Sequence, residues 1–266
     1  KRLTRGEKAR RAGLESLAKM IMSQRGGDPE VMADRFIKGE IYDTDMALSG
    51  ATDIIEEWMN ENGALRDRLR QLFERKAMLS SKVVKGKDEE AVKYKDYFDF
   101  SQSLSRCPSH RFLAIYRANR EGFLSIKARP EEDFALHQVE RFFVKGHGAC
   151  ADLVQDACKD AYKRLLRPSL ENEVLSNTKA KADKEAIKVF SKNLRQLLSL
   201  INDNVGDKKV VFPMHPRTKK MFDQLGIAFD KLIVTGPMSY LEFIYMIKYS
   251  AGVVTDSGGI TEETTV

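Results

Sequence analysis

The sequence predicts a mainly α-helical domain over residues 1–198, followed by a small α/β fragment with a parallel sheet over residues 199–266. Three observations carry that reading. Through most of the first part, apolar residues recur at three- and four-residue spacing, the period of helices that bury one face. Near residue 200 the pattern switches to short apolar runs separated by helical segments, the order of a parallel sheet with crossover connections. The chain then reaches GVVTDSGGITEE, residues 252–263, where an apolar run enters Asp-Ser-Gly-Gly and the start of a helix.

Each element has a local reason. GEKARRAGLESLAKMIMSQ places Ala9, Leu14, Leu17, Ile21 and Met22 on one side of a helix that stops at Gly26-Gly27. Asp28-Pro29 restarts the chain as a short helix, with Asp at the cap and Pro at the first helical position. Ala47, Ala51, Ile54 and Trp58 form the stripe of the next helix, with Trp58 read as core. Gly63 interrupts, and Leu65, Leu69, Leu72 and Phe73 continue on a following helix. SSKVVKGKDEEAVKYKDYFDF reads as a short extended piece, a Gly turn and a charged helix ending in aromatics. Pro108-Ser109 opens a helix that Gly122 closes, and Phe123 to Arg129 is a strand. From Gly148 to about Leu200 the pattern is helical again, interrupted at Pro168. In the second part KVVFPMH, KLIVTG and GVVTD read as strands, with PRTKKMFDQLG and SYLEFIYMIKYS as the helices between them.

Composition narrows the function classes. No apolar run approaches the length of a membrane span, and no signal-peptide core follows the basic start, so a cytoplasmic protein without a membrane partner is expected. Cys107, Cys150 and Cys158 have neither CxxC nor Cys/His ligand spacing, so they read as reduced core thiols rather than metal ligands. No metal site and no cofactor is expected. The net charge is +6, and residues 1–25 carry eight basic side chains against Glu7 and Glu15. Such a localised surplus is an electrostatic footprint for phosphate backbones, with Arg2, Arg5, Lys8, Arg10 and Arg11 as the candidate contacts. A solvated helix face accounts for the same charge equally well. Arg117 and Arg120, one turn apart, pose the same choice.

The loop after Val254 has phosphate-binding chemistry. Gly258 and Gly259 allow close backbone approach, the helix start offers unpaired N–H groups, and Ser257 adds a hydroxyl. Glu263, one turn on, is placed to accept from ribose hydroxyls. A Gly-rich strand-to-helix turn with Ser257 as cap and Glu263 as dipole partner fits the same residues. His215, in FPMHP, is a strand-end histidine that backbone hydrogen bonding alone would explain.

The pairing of FPMHPRTKK with SYLEFIYMIKYSAGVVTDSGGITEE resembles the C-terminal domain of the non-hydrolysing UDP-N-acetylglucosamine 2-epimerases, whose fold is two Rossmann-like domains across a cleft. The resemblance covers residues 201–266. It implies that Ser257, Gly258 and Gly259 cradle a diphosphate, that Glu263 holds the uridine ribose, and that His215 lines the cleft. The acidic residues with which that family moves the sugar C2 proton lie in a preceding domain that nothing in this sequence matches. Binding of UDP or a UDP-sugar without epimerisation is the expectation, and no residue is assigned a catalytic role.

Residues 1–198 resemble the helical N-terminal region of the Tex family of transcription accessory proteins. The segments KRLTRGEKARRAGLESLA, GKDEEAVKYKDYFDF, SHRFLAIYRANREGFL and DKEAIKVFSKNLRQLL carry the likeness in order. It implies association with RNA or DNA and with the transcription machinery, although the OB-fold RNA-binding domain of that family has no counterpart in this sequence. The chain thus reads as parts of two unrelated families joined between residues 195 and 208, an apparent chimera. A nucleic-acid-binding module is preferred over a sugar-nucleotide enzyme because it covers three-quarters of the chain.

Overall fold

The computed structural model describes residues 3–224, 226 and 230–254. The fold is mainly helical, with a small parallel sheet in its second part, as the sequence predicts. The chain divides into two compact units, Lys1–Ala186 and Ile187–Val266.

In the first unit, α1 (Arg5–Arg11) and α2 (Glu15–Ser23) replace the single helix expected there. Gly13 adopts φ +84°, a left-handed conformation that ends one helix and re-aims the next. Ala9, Leu14, Leu17 and Ile21 are buried as the stripe requires. The helix α3 (Pro29–Asp34) begins where the Asp28 carboxylate accepts from the Glu30 N–H at 2.9 Å. Asn62 ends α4 (Thr44–Glu61) and caps α5 (Gly63–Lys76), its side chain accepting from the Leu65 N–H at 2.9 Å. Ala47, Ala51, Ile54, Leu65, Leu69 and Phe73 are buried, and Trp58 is half-buried against the same core.

Three antiparallel strands follow: β1 (Met78–Val83), β2 (Asp99–Ser103) and, beyond the helix α6 (Ser109–Arg120), β3 (Leu124–Arg129). The sheet order is β2-β1-β3, with Ser80 opposite both Ser101 and Lys127. The charged helix expected before the aromatics of KYKDYFDF does not form. That segment is a turn, one 3-10 stretch (Val92–Tyr97) and the strand β2. The Val83 N–H bonds the Phe98 carbonyl at 3.1 Å, so the sheet ladder captures backbone groups that local propensity assigned to a helix. Ser109 starts α6 but is not its cap: Pro108 holds that position, and the Ser109 hydroxyl bonds Glu185.

The helices α7 (Glu132–Phe143) and α8 (Ala149–Ala161) precede a π-helical segment, Tyr162–Leu166, and the long α9 (Arg167–Asn204). The helical run thus continues past Pro168, and the interruption expected there takes the form of the π-helical turn just before it. Proline has no N–H for the carbonyl four residues back, and its ring crowds that carbonyl. The wider turn just before it, in which the Arg167 N–H reaches back to the Tyr162 carbonyl, absorbs the misfit. Leu170, Val174 and Leu175 are buried, whereas Ile187, Phe190 and Leu197 are 43–47% exposed. The end of α9 that docks in the first unit is thus the one with the sparser apolar stripe.

One side chain ties distant loops. Gln24, in the left-handed region at φ 50°, donates to the Phe143 carbonyl at 2.7 Å. Its Oε1 accepts from the N–H groups of Lys145 at 2.8 Å and Gly146 at 2.9 Å. Replacing Gln24 with Ala is expected to cost about 1–2 kcal/mol, because three backbone groups lose their partner in a partly solvated place. Urea unfolding checks this, and a shift below about 0.3 kcal/mol would assign the bonds no net weight.

In the second unit, β4 (Val210–Pro213) and β5 (Leu232–Thr235) pair in parallel, Val210 opposite Leu232, with α10 (Pro216–Gln224) between them. Leu198, Met214 and Phe222 are its buried core. Ser239 and Glu242 form a reciprocal cap at the start of α11 (Tyr240–Tyr249). The third strand expected at residues 252–255 is not formed over the described residues 252–254, which carry no strand pairing. A buried parallel strand needs cover on both faces, and Val253 and Val254 are 40% and 71% exposed.

Candidate functional site

The first helix of the basic segment, α1, is anchored by a half-buried acid. The Thr4 hydroxyl caps α1 by accepting from the Glu7 N–H at 3.1 Å. Glu57 on α4 accepts from the Gly6 N–H at 3.1 Å and from Arg10 Nη1 at 2.8 Å. A Cβ on Gly6 would lie 2.4 Å from Glu57 Cδ, so only glycine lets the helix start approach this carboxylate. Arg10 also lies 3.6 Å from Glu7, and Arg11 Nε is 3.4 Å from the same carboxylate. Lys19 pairs with Glu15 at 2.8 Å.

The structure therefore separates residues that the sequence grouped together. Arg5, Lys8, Arg10 and Arg11 share α1, but Arg10 is half-buried and engaged with Glu57. Arg5 and Lys8, one turn apart, are exposed and form no ion pair among the described residues. Arg2 lies outside the described residues. A basic patch remains, smaller than the charge count suggests, and centred on Arg5 and Lys8 with Arg11 at its margin.

Beside it is a cleft of about 380 Å³ lined by Arg5, Asp53, Glu56, Asp160 and Arg164 together with Ser49 and Thr52. Arg164 Nη2 bonds the Asp53 carboxylate at 3.1 Å and also bonds Glu56. Glu56 is 3% exposed, and burial holds its carboxyl above the ordinary value despite the guanidinium beside it. Sequence reasoning missed Glu56 and Glu57. Their signal was two acids inside the apolar run IIEEW, a position where a carboxylate needs a partner.

No thiol is activated. Burial pushes Cys158 up to about 12 and raises Cys107 and Cys150, so all three stay protonated near neutral pH. Among the described residues no cluster of His, Cys, Asp or Glu has the form of a metal site. No helix among them is long and apolar enough to cross a membrane.

His215 is exposed just beyond the C-terminal end of β4, the edge at which open α/β sheets receive ligands. Its carbonyl accepts from the Lys219 N–H at 2.9 Å within α10, and the Met214 N–H extends the ladder to Thr235 at 2.9 Å. Ser257, Gly258, Gly259 and Glu263 lie outside the described residues. On α6, Arg111 donates to Gln102 at 3.0 Å, so it supports the sheet.

Residues 24–190 match the family model described as Tex central region-like. The chain belongs to the Tex family. Residues 152–266 match the model for UDP-N-acetylglucosamine 2-epimerase, so the two matches overlap over 152–190, and the second begins well before the tail motifs at which the sequence resemblance starts. The chain is 34% identical over 217 residues to Protein YhgF of Escherichia coli (strain K12), covering 74% of this chain and 27% of that protein. It is 33% identical over 214 residues to Protein tex of Bordetella pertussis, with the same coverage of each. S1 RNA-binding domain-containing protein 1 of Homo sapiens is 25% identical over 213 residues, covering 73% of this chain and 21% of that protein. The chain thus spans about a quarter of the length of the curated relatives it matches.

Proposed function

We propose that this chain is a cytoplasmic nucleic-acid-binding module of the Tex type, a transcription accessory domain over residues 1–198 without catalytic residues, joined to a sugar-nucleotide-binding fragment over 199–266. The observation that carries the reading is the Tex central region match across residues 24–190, most of the first compact unit. The exposed pair Arg5 and Lys8 supports the binding half of the reading, and a relative named for RNA binding points the same way. Partners of this class are RNA or DNA, bound through the phosphate backbone, and the transcription machinery.

Binding to nucleic acid is expected to be weak, sequence-independent and salt-dependent. Replacing Arg5, Lys8 and Arg11 with Ala should weaken it for all sequences alike, each lost phosphate contact making the salt slope shallower by about 0.7–0.9. Arg10→Ala differs, because it strands Glu57 and lowers stability as well as charge. Fluorescence anisotropy over a salt series checks this. Affinity indifferent to both salt and the substitutions returns the helix to a solvated face.

A second reading rests on the epimerase match and the parallel pair β4–β5 with His215 at its ligand-receiving edge. In this reading Ser257, Gly258, Gly259 and Glu263 hold UDP or a UDP-sugar. UDP then binds better than uridine, with an affinity about millimolar, equivalent to roughly 4 kcal/mol. Gly258→Val abolishes it by blocking backbone approach. Turnover of UDP-N-acetylglucosamine by the purified chain would replace the non-enzymatic reading.

A further inference from the structure

We infer that the solvent face of the β2-β1-β3 sheet is a docking surface for one extended single strand of nucleic acid, held through its sugar–phosphate backbone. The inference rests on the nucleic-acid reading above and names a surface distinct from α1. Strand alternation sends Leu79, Ser81, Leu124 and Ala128 into the core and turns the opposite positions outward. At the centre of that outward face the register sets Ser101, Ser80 and Lys127 in one row and Asp99, Lys82 and Ser125 in the next. Five of these six side chains are exposed, and Ser80 is half-buried.

Charge and spacing point to the occupant. Lys82 and Lys127 form no ion pair among the described residues, and the hydroxyls of Ser80, Ser101 and Ser125 make no hydrogen bond to them. The two lysines are diagonal neighbours on adjacent strands, a separation of about 7–8 Å between residues and somewhat less between Cβ atoms. That separation is comparable to the distance between successive phosphates of an extended strand, and a serine hydroxyl flanks each lysine to donate to the same oxygens. The six central positions carry no apolar side chain, and Met78 at one end is the exception on the face. A protein partner would need buried aromatic or aliphatic anchors that this surface lacks. With no aromatic platform to stack bases, recognition stops at the backbone and is sequence-independent. Asp99, directly opposite Lys82, is the one carboxylate on the face and tempers its potential.

The test uses the full chain with labelled oligo(U) and oligo(dT), read by anisotropy over a salt series. Lys82→Glu with Lys127→Glu is expected to weaken binding about tenfold or more while the unfolding midpoint stays unchanged; the salt slope should fall by about 1.4, the loss of two single-strand phosphate contacts. Asp99→Asn is expected to tighten binding. If charge reversal disturbs folding, Lys82→Gln with Lys127→Gln serves instead and should weaken binding in the same direction. Tighter binding of oligo(U) would support serine contacts to the ribose 2′-hydroxyl, and equal binding would support contacts to phosphate alone. Oligonucleotide binding that both lysine pairs leave unchanged would overturn the sheet assignment and leave the nucleic-acid reading to α1. Preference for a duplex over the single strand would also overturn it. Absence of salt-sensitive binding to any oligonucleotide would overturn that reading itself.

Discussion

Replacing Arg164 with Ala is expected to lower the unfolding free energy by about 3 kcal/mol. That is the lower end of the range for breaking a buried pair, because Arg164 itself is about one-third exposed. What remains is Glu56, 3% exposed, with no cation against its carboxylate. The melting midpoint should fall by roughly 6–12 °C for a unit of this size. The loss should depend on pH, and its sign follows from burial. Burial holds the Glu56 carboxyl above its ordinary value of 4.5 in the folded chain, so the folded state keeps that proton to higher pH than the unfolded state. Its contribution to stability is therefore most favourable below the unfolded value and declines as pH rises through the folded one. Without Arg164 the carboxyl rises further. The deficit should be largest at neutral pH and shrink toward about pH 5. Urea unfolding at the two pH values decides it: an equal deficit at both would mean that Glu56 stays ionised and solvated in the variant.

Glu171→Ala is expected to cost about 2–3 kcal/mol by a different route. Glu171, 8% exposed on α9, accepts from the Ala128 N–H at 2.8 Å and from Arg129 Nε at 2.8 Å. The first of these bonds satisfies one backbone group on the outer edge of β3, the side that an edge strand leaves unpaired. Alanine leaves a buried N–H and a guanidinium without an acceptor. Glu171→Gln keeps one acceptor for the Ala128 N–H and should lose about half as much. Hydrogen exchange at the Ala128 amide gives the local readout: protection unchanged in the alanine variant would mean that another group closes the edge.

Legibility followed the range of the interactions. The boundaries of α3, α4 and α5 were readable because Asp28 and Gly63 act within a turn of themselves, although the cap at Asn62 emerged only from the structure. The break at Gly13 was not, since a glycine inside an amphipathic pattern is compatible with one helix or two. The strand β2 hid behind helix-forming residues because its partner, β1, lies on the far side of a long connection. Long range also hid the buried polar groups: Gln24 meets Gly146 across 122 positions, and Glu171 meets Arg129 across 42. The same limit applied to the candidate site. Composition marked α1 as basic, but only packing reveals that Arg10 serves Glu57 while Arg5 and Lys8 face solvent. Membership of the Tex family was legible in the segments around Tyr94 and Arg117, since a dense run of specific residues survives without any knowledge of contacts.

The wide turn at Tyr162–Leu166 sets azimuth. One additional residue in a single turn rotates everything that follows by about 100° relative to an unbroken α-helix. The direction in which Glu171 leaves α9 is therefore decided nine residues earlier, at Tyr162. A chain lacking one residue there, with Pro168 replaced to allow an ordinary turn, would keep the length and composition of α9 almost intact. It would present Glu171 to a different quadrant and leave the Ala128 N–H without that acceptor.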